Sequence, residues 1–325
     1  MELFHKPNID FVGFRRIPIG ISLVILFGGM LTIAVKGFNY SIEFTGGTAL
    51  QVAFSKPIDM GAMRSALNEA GLRPEIQTVT TAGGKTSYIL REKGDEKSIE
   101  DASNRTMDVL NKTFADNSPV LEKKDFVGPV VGKDLKRRTY WAIFLSLLCI
   151  IVYVAFRFTN PVWGCAGVLE LTHDVVGTAA VFSITGMEVD LLIVTALLTI
   201  AGYSINDTII IFDRMRENLR VKRGATFKEI VNSSINETLS RTVITVCTVQ
   251  IVCVVLYFFG GPVLRNFALA LIIGNLLGTY SSIADSSTLI YEWGIHFGGL
   301  KAEEAAVPAG AKGSKPQFKK PKGNA

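Results

Sequence analysis

The chain has 325 residues, 48% of them hydrophobic, and a formal net charge of +5. A mean hydropathy of +0.33 excludes an ordinary soluble domain and makes membrane spans the first thing to seek. The positive charge lies in loops and a tail, which reads as orientation bias and gives no sign of nucleic acid as a partner.

A helical span needs about 20 mostly apolar residues. In chain order six stretches qualify: 17–36, 140–157, 162–184, 190–212, 242–259 and 266–290. The first is too long for the apolar core of a signal peptide, and VKGFNYS after it offers no A-x-A cleavage site, so it reads as a retained anchor. The expected division is an N-terminus at 1–16, a first span at 17–36, a soluble domain at 37–138, a bundle of spans two to six at 139–298, and a basic tail at 299–325. The tail, rich in Lys, Gly, Ala and Pro, is expected to be disordered.

Inside 37–138, TALQVAF (48–54) reads as a strand, 59–70 as a helix closed by Gly71, and PEIQTVT (74–80) and TSYILR (86–91) as strands joined at Gly83-Gly84. Residues 98–114 have helical spacing, and 120–128 read as a last strand. The order β-α-β-β-α-β is that of a ferredoxin-like split βαβ. The stretch holds no His and no nucleophile–base pair, so it is expected to bind or move and to carry no catalysis.

Lys and Arg of short loops set orientation. His5, Lys6, Arg15 and Arg16, then the Arg214–Lys228 loop, then the tail, are the basic segments; the loops at 185–189 and 260–265 carry only Arg265. With six spans both termini are placed in the cytoplasm and 37–138 outside. Lys136, Arg137 and Arg138 run against this, but long translocated domains largely escape the rule. The four cysteines, Cys149, Cys165, Cys247 and Cys253, all fall within spans; they lack metal-ligand or disulfide spacing and read as buried small residues. Neither a metal nor a cofactor is expected.

Asp207 stands out, in AGYSINDTIIIFDRMREN (201–218). A carboxylate at mid-span costs about 2.5–3.5 kcal/mol on insertion scales and usually faces a bundle interior or a wet cavity. It sits about 9 Å along the helix from Asp213, with Ser204 and Asn206 beside it. The bland alternative is a carboxylate that only holds helices together. Arg241 opens span five after the capping box TFKE, and shares a face with Thr245 and Thr248. It is placed at the depth of Asp207, either pairing with it or snorkelling to lipid. Span three carries Glu170, His173 and Asp174, with His173 either a relay or a structural hydrogen bond. In span six Gly274, Gly278, Ser281, Ser282 and Asp285 form a small-residue packing stripe, with Asp285 read as solvated near the membrane edge. Asp213, Arg214, Arg216 and Glu217 read as an ion-pair cluster ending span four.

GYSINDTIIIFDRMREN (202–218) resembles the fourth-span signature of the SecF branch of the SecD/SecF protein-export family, within the RND superfamily. IDFVGFRR (9–16), IEFTGGT (42–48), VGPVVGKDL (127–135), LTHD (171–174), LSRTVIT (239–245), FGGP (259–262) and GTYSSI (278–283) agree in order. Glu43 departs from the family's usual Asp. The resemblance implies an α-helical membrane protein of six transmembrane helices, half of an RND-type bundle, with one ferredoxin-like periplasmic domain. It implies SecD as a separate partner chain, work with the SecYEG channel and SecA on unfolded preprotein, and use of the proton motive force in the bacterial inner membrane. The family's proton-path residues fall on Asp207 and Arg241, with Ser204, Asn206, His173, Asp174 and Thr245 in support; Glu170 and Asp285 carry nothing over. The rivals are a half-size RND exporter and a passive scaffold. No P-loop, metal set or triad supports an enzyme.

Overall fold

The structure is a computed structural model that describes residues 7–80, 86–92, 96–158 and 160–297. The expected tail and the Gly83-Gly84 turn lie outside these residues. Among them six helices are long and apolar enough to cross a membrane: Arg16–Lys36, Pro129–Arg157, Pro161–Thr185, Leu191–Val221, Phe227–Phe259 and Val263–His296.

The chain begins with a short helix α1 (Phe11–Phe14), capped by Asp10, and turns into the first span α2 (Arg16–Lys36). A two-residue strand β1 (Asn39–Tyr40) and a single-turn helix α3 (Ile42–Thr45) follow. The inserted domain is then β2 (Gly47–Ala53), α4 (Met60–Glu69), β3 (Glu75–Thr80), β4 (Thr86–Glu92), α5 (Glu96–Thr113) and β5 (Val120–Val127). Its antiparallel sheet has the order β3-β4-β2-β5, the ferredoxin-like arrangement expected from the strand–helix pattern. The helices form where apolar residues recur at helical spacing: Met63 and Leu67 of α4 and Leu110 of α5 are fully buried against Leu50, Val52, Tyr88 and Leu90 of the sheet. The Tyr88 hydroxyl is satisfied inside this core, donating to the Ile58 carbonyl at 2.7 Å and accepting from its N–H at 2.8 Å.

Span two is α6 (Pro129–Arg157), with Pro at its first turn, where the missing N–H costs nothing. It starts well before the expected residue 140, so Lys136, Arg137 and Arg138 stand on a helical extension. Span three is α7 (Pro161–Thr185), capped by Asn160. A short strand β6 (Glu188–Val189) pairs in parallel with β1, a contact with no sequence signal. Span four is α8 (Leu191–Val221), capped by Asp190. Span five, α9 (Phe227–Phe259), carries the expected capping box of Thr226 and Glu229, and its first turns run unbroken into the span. Span six is broken: α10 (Gly261–Ser281), a π turn at Ser282–Ser286, and α11 (Ser287–Phe297).

Spans three and four are the bundle's centre; spans one, two and five keep most of their apolar surface on the outside. The small-residue stripe of α10 does make a close contact: a Cβ on Gly274 would fall 2.2 Å from Ile200 Cδ1 of α8. One expectation fails here. Cys149, Cys165 and Cys247 are exposed on the outer faces of their helices, and only Cys253 is buried. In a membrane, lipid replaces the core as the apolar solvent, so an apolar residue type does not report which way it faces.

Two junctions tie the inserted domain to the bundle. In the first, Gly46 (φ 73°) and Gly47 (φ 139°) turn the chain from α3 into β2, against the start of α6. A Cβ on Gly46 would lie 2.7 Å from Pro129 Cα, and one on Gly132 would lie 2.9 Å from the Gly46 nitrogen. These glycines form a close-packed contact. In the second, Arg91 of β4 makes an ion pair with Glu188 of β6, both largely buried.

Candidate ion-coupling site

The middle of α8 presents three faces. Ser204 and Thr208, one turn apart, point inward toward α7 and are buried. Asn206 is exposed. Asp207 lies between, rotated about 100° from Thr208 around the helix axis, and is only 3% exposed. Among the described residues its carboxylate has no hydrogen-bond partner.

Arg241 is exposed, on the outward side of α9, as is Thr245. Of the two alternatives for Arg241, the direct pair with Asp207 is not made: no ion pair joins them among the described residues. The guanidinium is nonetheless near enough for its charge to act on Asp207. The Thr245 hydroxyl bonds back to the Arg241 and Thr242 carbonyls, at 3.0 and 2.9 Å. Asn206, Arg241 and Thr245 thus leave exposed polar groups on the outer side of α8 and α9.

The other predicted polar residues gather inside. Glu170, His173 and Asp174 of α7 are all at most 5% exposed. Ser204 Oγ donates to Asp174 Oδ2 at 2.5 Å and Thr208 Oγ1 to Glu170 Oε2 at 2.5 Å. Ser281 Oγ of α10 lies 2.9 Å from Asp174 Oδ2 and 3.4 Å from Glu170 Oε1. His173 Nδ1 is 2.9 Å from Asp174 Oδ1. Asp285, read from the sequence as solvated, lies in the π turn and accepts a hydrogen bond from Ser22 of the first span. The polar cluster expected from the spacing of Glu170, His173 and Asp174 is therefore present, and Asp285, read as solvated, stands beside it as a member that the sequence reading left out. The signal for Glu170 was its i,i+4 spacing to Asp174; nothing in the sequence could show Ser22 meeting Asp285 across the bundle.

The ion-pair cluster ending span four reaches further than its own helix. Arg214 bonds Glu217 at 2.6 Å and Glu237 of α9 at 2.5 Å, and Lys222 bonds Glu237 at 2.7 Å. Asp213 pairs with Arg157 at the end of α6, with Arg216 at 3.9 Å. Nearby, Asp10 accepts from Lys228 at 2.8 Å and Asn232 at 2.7 Å. These bonds, the Lys228 one foremost, hold the Asp10 carboxyl down at about 2.

At the opposite end, a cleft of about 590 Å³ opens between the sheet and the span ends, lined by Arg91, Lys123, Glu188, Asp190 and Arg265 among others. Burial, opposed by Arg91 and reinforced by Asp190, Glu75 and Glu43, pushes the Glu188 carboxyl up to about 7.

Six spans, a ferredoxin-like insertion after the first, and carboxylates buried inside the bundle define a membrane protein of the transporter class. The comparisons with known proteins give its family. Residues 106–296 match the family described as protein export membrane protein SecD/SecF, C-terminal, and residues 32–58 match the SecD/SecF GG motif. The chain belongs to the SecD/SecF protein-export family. It is 38% identical to the protein translocase subunit SecF of Escherichia coli O157:H7, over 90% of this chain and 91% of that one. It is 37% identical to the subunit of the same name from Endomicrobium trichonymphae, over 91% and 94%. Its fold is similar to the crystal structure of SecDF from Thermus, with a TM-score of 0.77 and 36% identity over 89% of this chain. This chain spans 39% of that longer protein.

Proposed function

We propose that this chain is a subunit of the Sec translocase which, with SecD, couples the proton motive force to the completion of preprotein translocation across the bacterial inner membrane. SecYEG, with SecA, is the channel it serves, and unfolded preprotein is its substrate. Both termini face the cytoplasm and the inserted domain faces the periplasm, in line with the basic loops on the terminal side.

One observation carries this reading: Asp207 is buried in mid-span with no hydrogen-bond partner among the described residues. A structural carboxylate at that depth would be expected to sit in bonds, as Asp174 does. One that takes and releases a proton must be left free to change charge. The exposed polar groups of Asn206, Arg241 and Thr245 support SecD as the other wall of the site. Relatives named SecDF, such as the Thermus one, combine both names in one longer chain. Arg241 then balances ionised Asp207 from a face that the partner covers.

A unit charge crossing the full potential gains about 2.3 kcal/mol per 100 mV. That energy moves a mechanical element only if protonation favours one of two conformations. A single continuous helix leads from Asp207 to the inserted domain. Asp207 is on α8, and the first turn of α8 is bonded through the Leu191 N–H to Glu43 of α3, next to the glycine junction. A shift of α8 is transmitted to the base of the domain.

The test is preprotein transport in vesicles holding this chain, SecD and the Sec channel, with and without an imposed ion gradient. Wild type should gain from the gradient, and Asp207→Asn should lose that gain while still assembling. If Asp207→Asn keeps the full gain, Asp207 is structural and the reading is wrong. Separate H⁺ and Na⁺ gradients name the ion.

A further inference from the structure

A second polar cluster lies inside the bundle, and beyond the supporting place that the resemblance gives Ser204, His173 and Asp174 the coupling reading assigns it no role of its own. Its carboxyl and imidazole groups come from two elements. Glu170, His173 and Asp174 belong to α7 and Asp285 to the π turn of span six. The other helices packed on it contribute hydroxyls: Ser204 and Thr208 from α8, Ser281 and Tyr280 from α10, and Ser22 from α2. Asp207 is turned to another side, where the charge that acts on it is that of Arg241. Among the described residues no Lys or Arg bonds to any member of the cluster.

The proton inventory does not close. Three carboxylates face one imidazole, and the hydroxyls add hydrogen bonds but no charge. Ser281 has a single proton to share among Asp174, Glu170 and the Gly278 carbonyl. Taking carboxylates out of water without a balancing cation costs several kcal/mol for each. A set this dry is stable only if it keeps protons of its own.

Two unfilled positions show where a proton would go. Among the described residues His173 Nε2 is buried and has no hydrogen-bond partner, although Nδ1 is held by Asp174. Asp285 Oδ1 is likewise buried and bare, although Oδ2 accepts from Ser22. The imidazole is close enough to Asp285 for their charges to interact. An imidazole in that place can accept a proton at one nitrogen from the Asp174 side and release one from the other toward Asp285, returning to neutral.

We propose that Glu170, His173, Asp174 and Asp285 form a second proton-binding site, separate from Asp207, whose occupancy sets the packing of the first span against span six. The span-six end of the site is a π turn, an element that inserts an extra residue into a helix and often marks functional positions. Ser22 reaches Asp285 from the first span, and the Tyr280 hydroxyl, one residue before Ser281, donates to the Pro18 carbonyl of that span at 2.9 Å. The first span leads directly into β1 and α3 at the base of the inserted domain. Where Asp207 acts on the domain through α8, this site acts through α2.

The proposal rests on the proton-coupling reading, and its test separates the two. The complex with SecD is reconstituted in lipid, and infrared difference spectra are recorded across a pH step. The protonated-carboxyl band is followed in wild type, in Asp207→Asn, and in Asp207→Asn combined with Glu170→Gln, Asp174→Asn or Ser281→Ala. Expected is a pH-dependent band that survives Asp207→Asn, shifts with Ser281→Ala as it loses a hydrogen bond, and falls with Glu170→Gln or Asp174→Asn. Gradient-driven transport should fall at least tenfold in the single variant Glu170→Gln and recover in part in Glu170→Asp. A band unchanged by Glu170→Gln and Asp174→Asn overturns the proposal, as does a band abolished by Na⁺ at fixed pH, which would make this a cation site. If wild type shows no gradient-driven gain, the coupling reading itself fails. If Asp207→Asn loses the gain while Glu170→Gln keeps it, only the second site fails.

Discussion

Glu43 Oε2 accepts a hydrogen bond from the Leu191 backbone N–H at 2.9 Å, so a residue before the inserted domain caps the helix that holds Asp207. The first N–H groups of a helix lack internal partners, and Asp190 already accepts from Ile193 at 2.8 Å. Glu43 satisfies a second of these donors from a different part of the chain. Removing it in Glu43→Ala should cost about 0.5–2 kcal/mol, the range for loss of a helix cap. Amide exchange in the first turn of α8 should speed up selectively, whereas Glu43→Gln, which keeps an acceptor, should leave it near wild type. Unchanged exchange in Glu43→Ala would show that the bond transmits nothing.

The glycine junction should tolerate no side chain. Gly46 has φ 73°, and its Cβ would strike the Pro129 backbone at 2.7 Å. Backbone cannot give way as a flexible side chain does. Gly46→Ala and Gly132→Ala are each expected to destabilise by about 1–3 kcal/mol, read as a lower Tm in detergent. Gly20→Ala, where a Cβ meets nothing within 4 Å, is the control.

The Arg91–Glu188 pair should respond to pH in the less obvious direction. Docking raises the Glu188 carboxyl from 4.5 to about 7 because burial outweighs the Arg91 charge. A group with a raised folded value binds protons on docking. The contact is therefore most favourable below about 4.5 and loses stability as pH rises through about 7. The loss is up to about 3 kcal/mol. Amide exchange of β4 and β6 should be faster at pH 8 than at pH 5.5 after correction for intrinsic rates, and Glu188→Gln should remove the difference.

Asp10 should behave in the opposite sense. Its carboxyl is held down at about 2 by Lys228, Asn232 and the Gly13 N–H. A lowered value means stabilisation that is present above the ordinary value of 3.8 and lost as pH falls through 2. At neutral pH the contact is complete, and Asp10→Asn should loosen residues 8–14 and the first turns of α9 in exchange measurements, with the bundle centre unchanged. Equal exchange in both proteins would show that the N-terminal segment is held by Asn232 and Asn236 alone, through their bonds to Val12 and Ile9.

Much of the fold could be read from the sequence because its signals are local. Six apolar runs, the 3.6-residue spacing of α4 and α5, the capping box at Thr226 and Glu229, and the β-α-β-β-α-β order each depend on residues close in the chain. So does the oddity of Asp207, since a carboxylate is costly in an apolar run whatever surrounds it. What the sequence by itself determined is which segments cross the membrane, what domain they carry between them, and which side chains are out of place in lipid. Tertiary structure decided which of those side chains meet. It turned Arg241 outward, away from direct contact with Asp207, joined Asp285 to Ser22 and the Glu43 carboxylate to the Leu191 N–H, and packed Gly46 and Gly132 against each other at the base of the domain. The physical reason is that helix rotation and crossing in a bundle are fixed by contacts between distant segments, and a residue's distance along the chain carries no information about that.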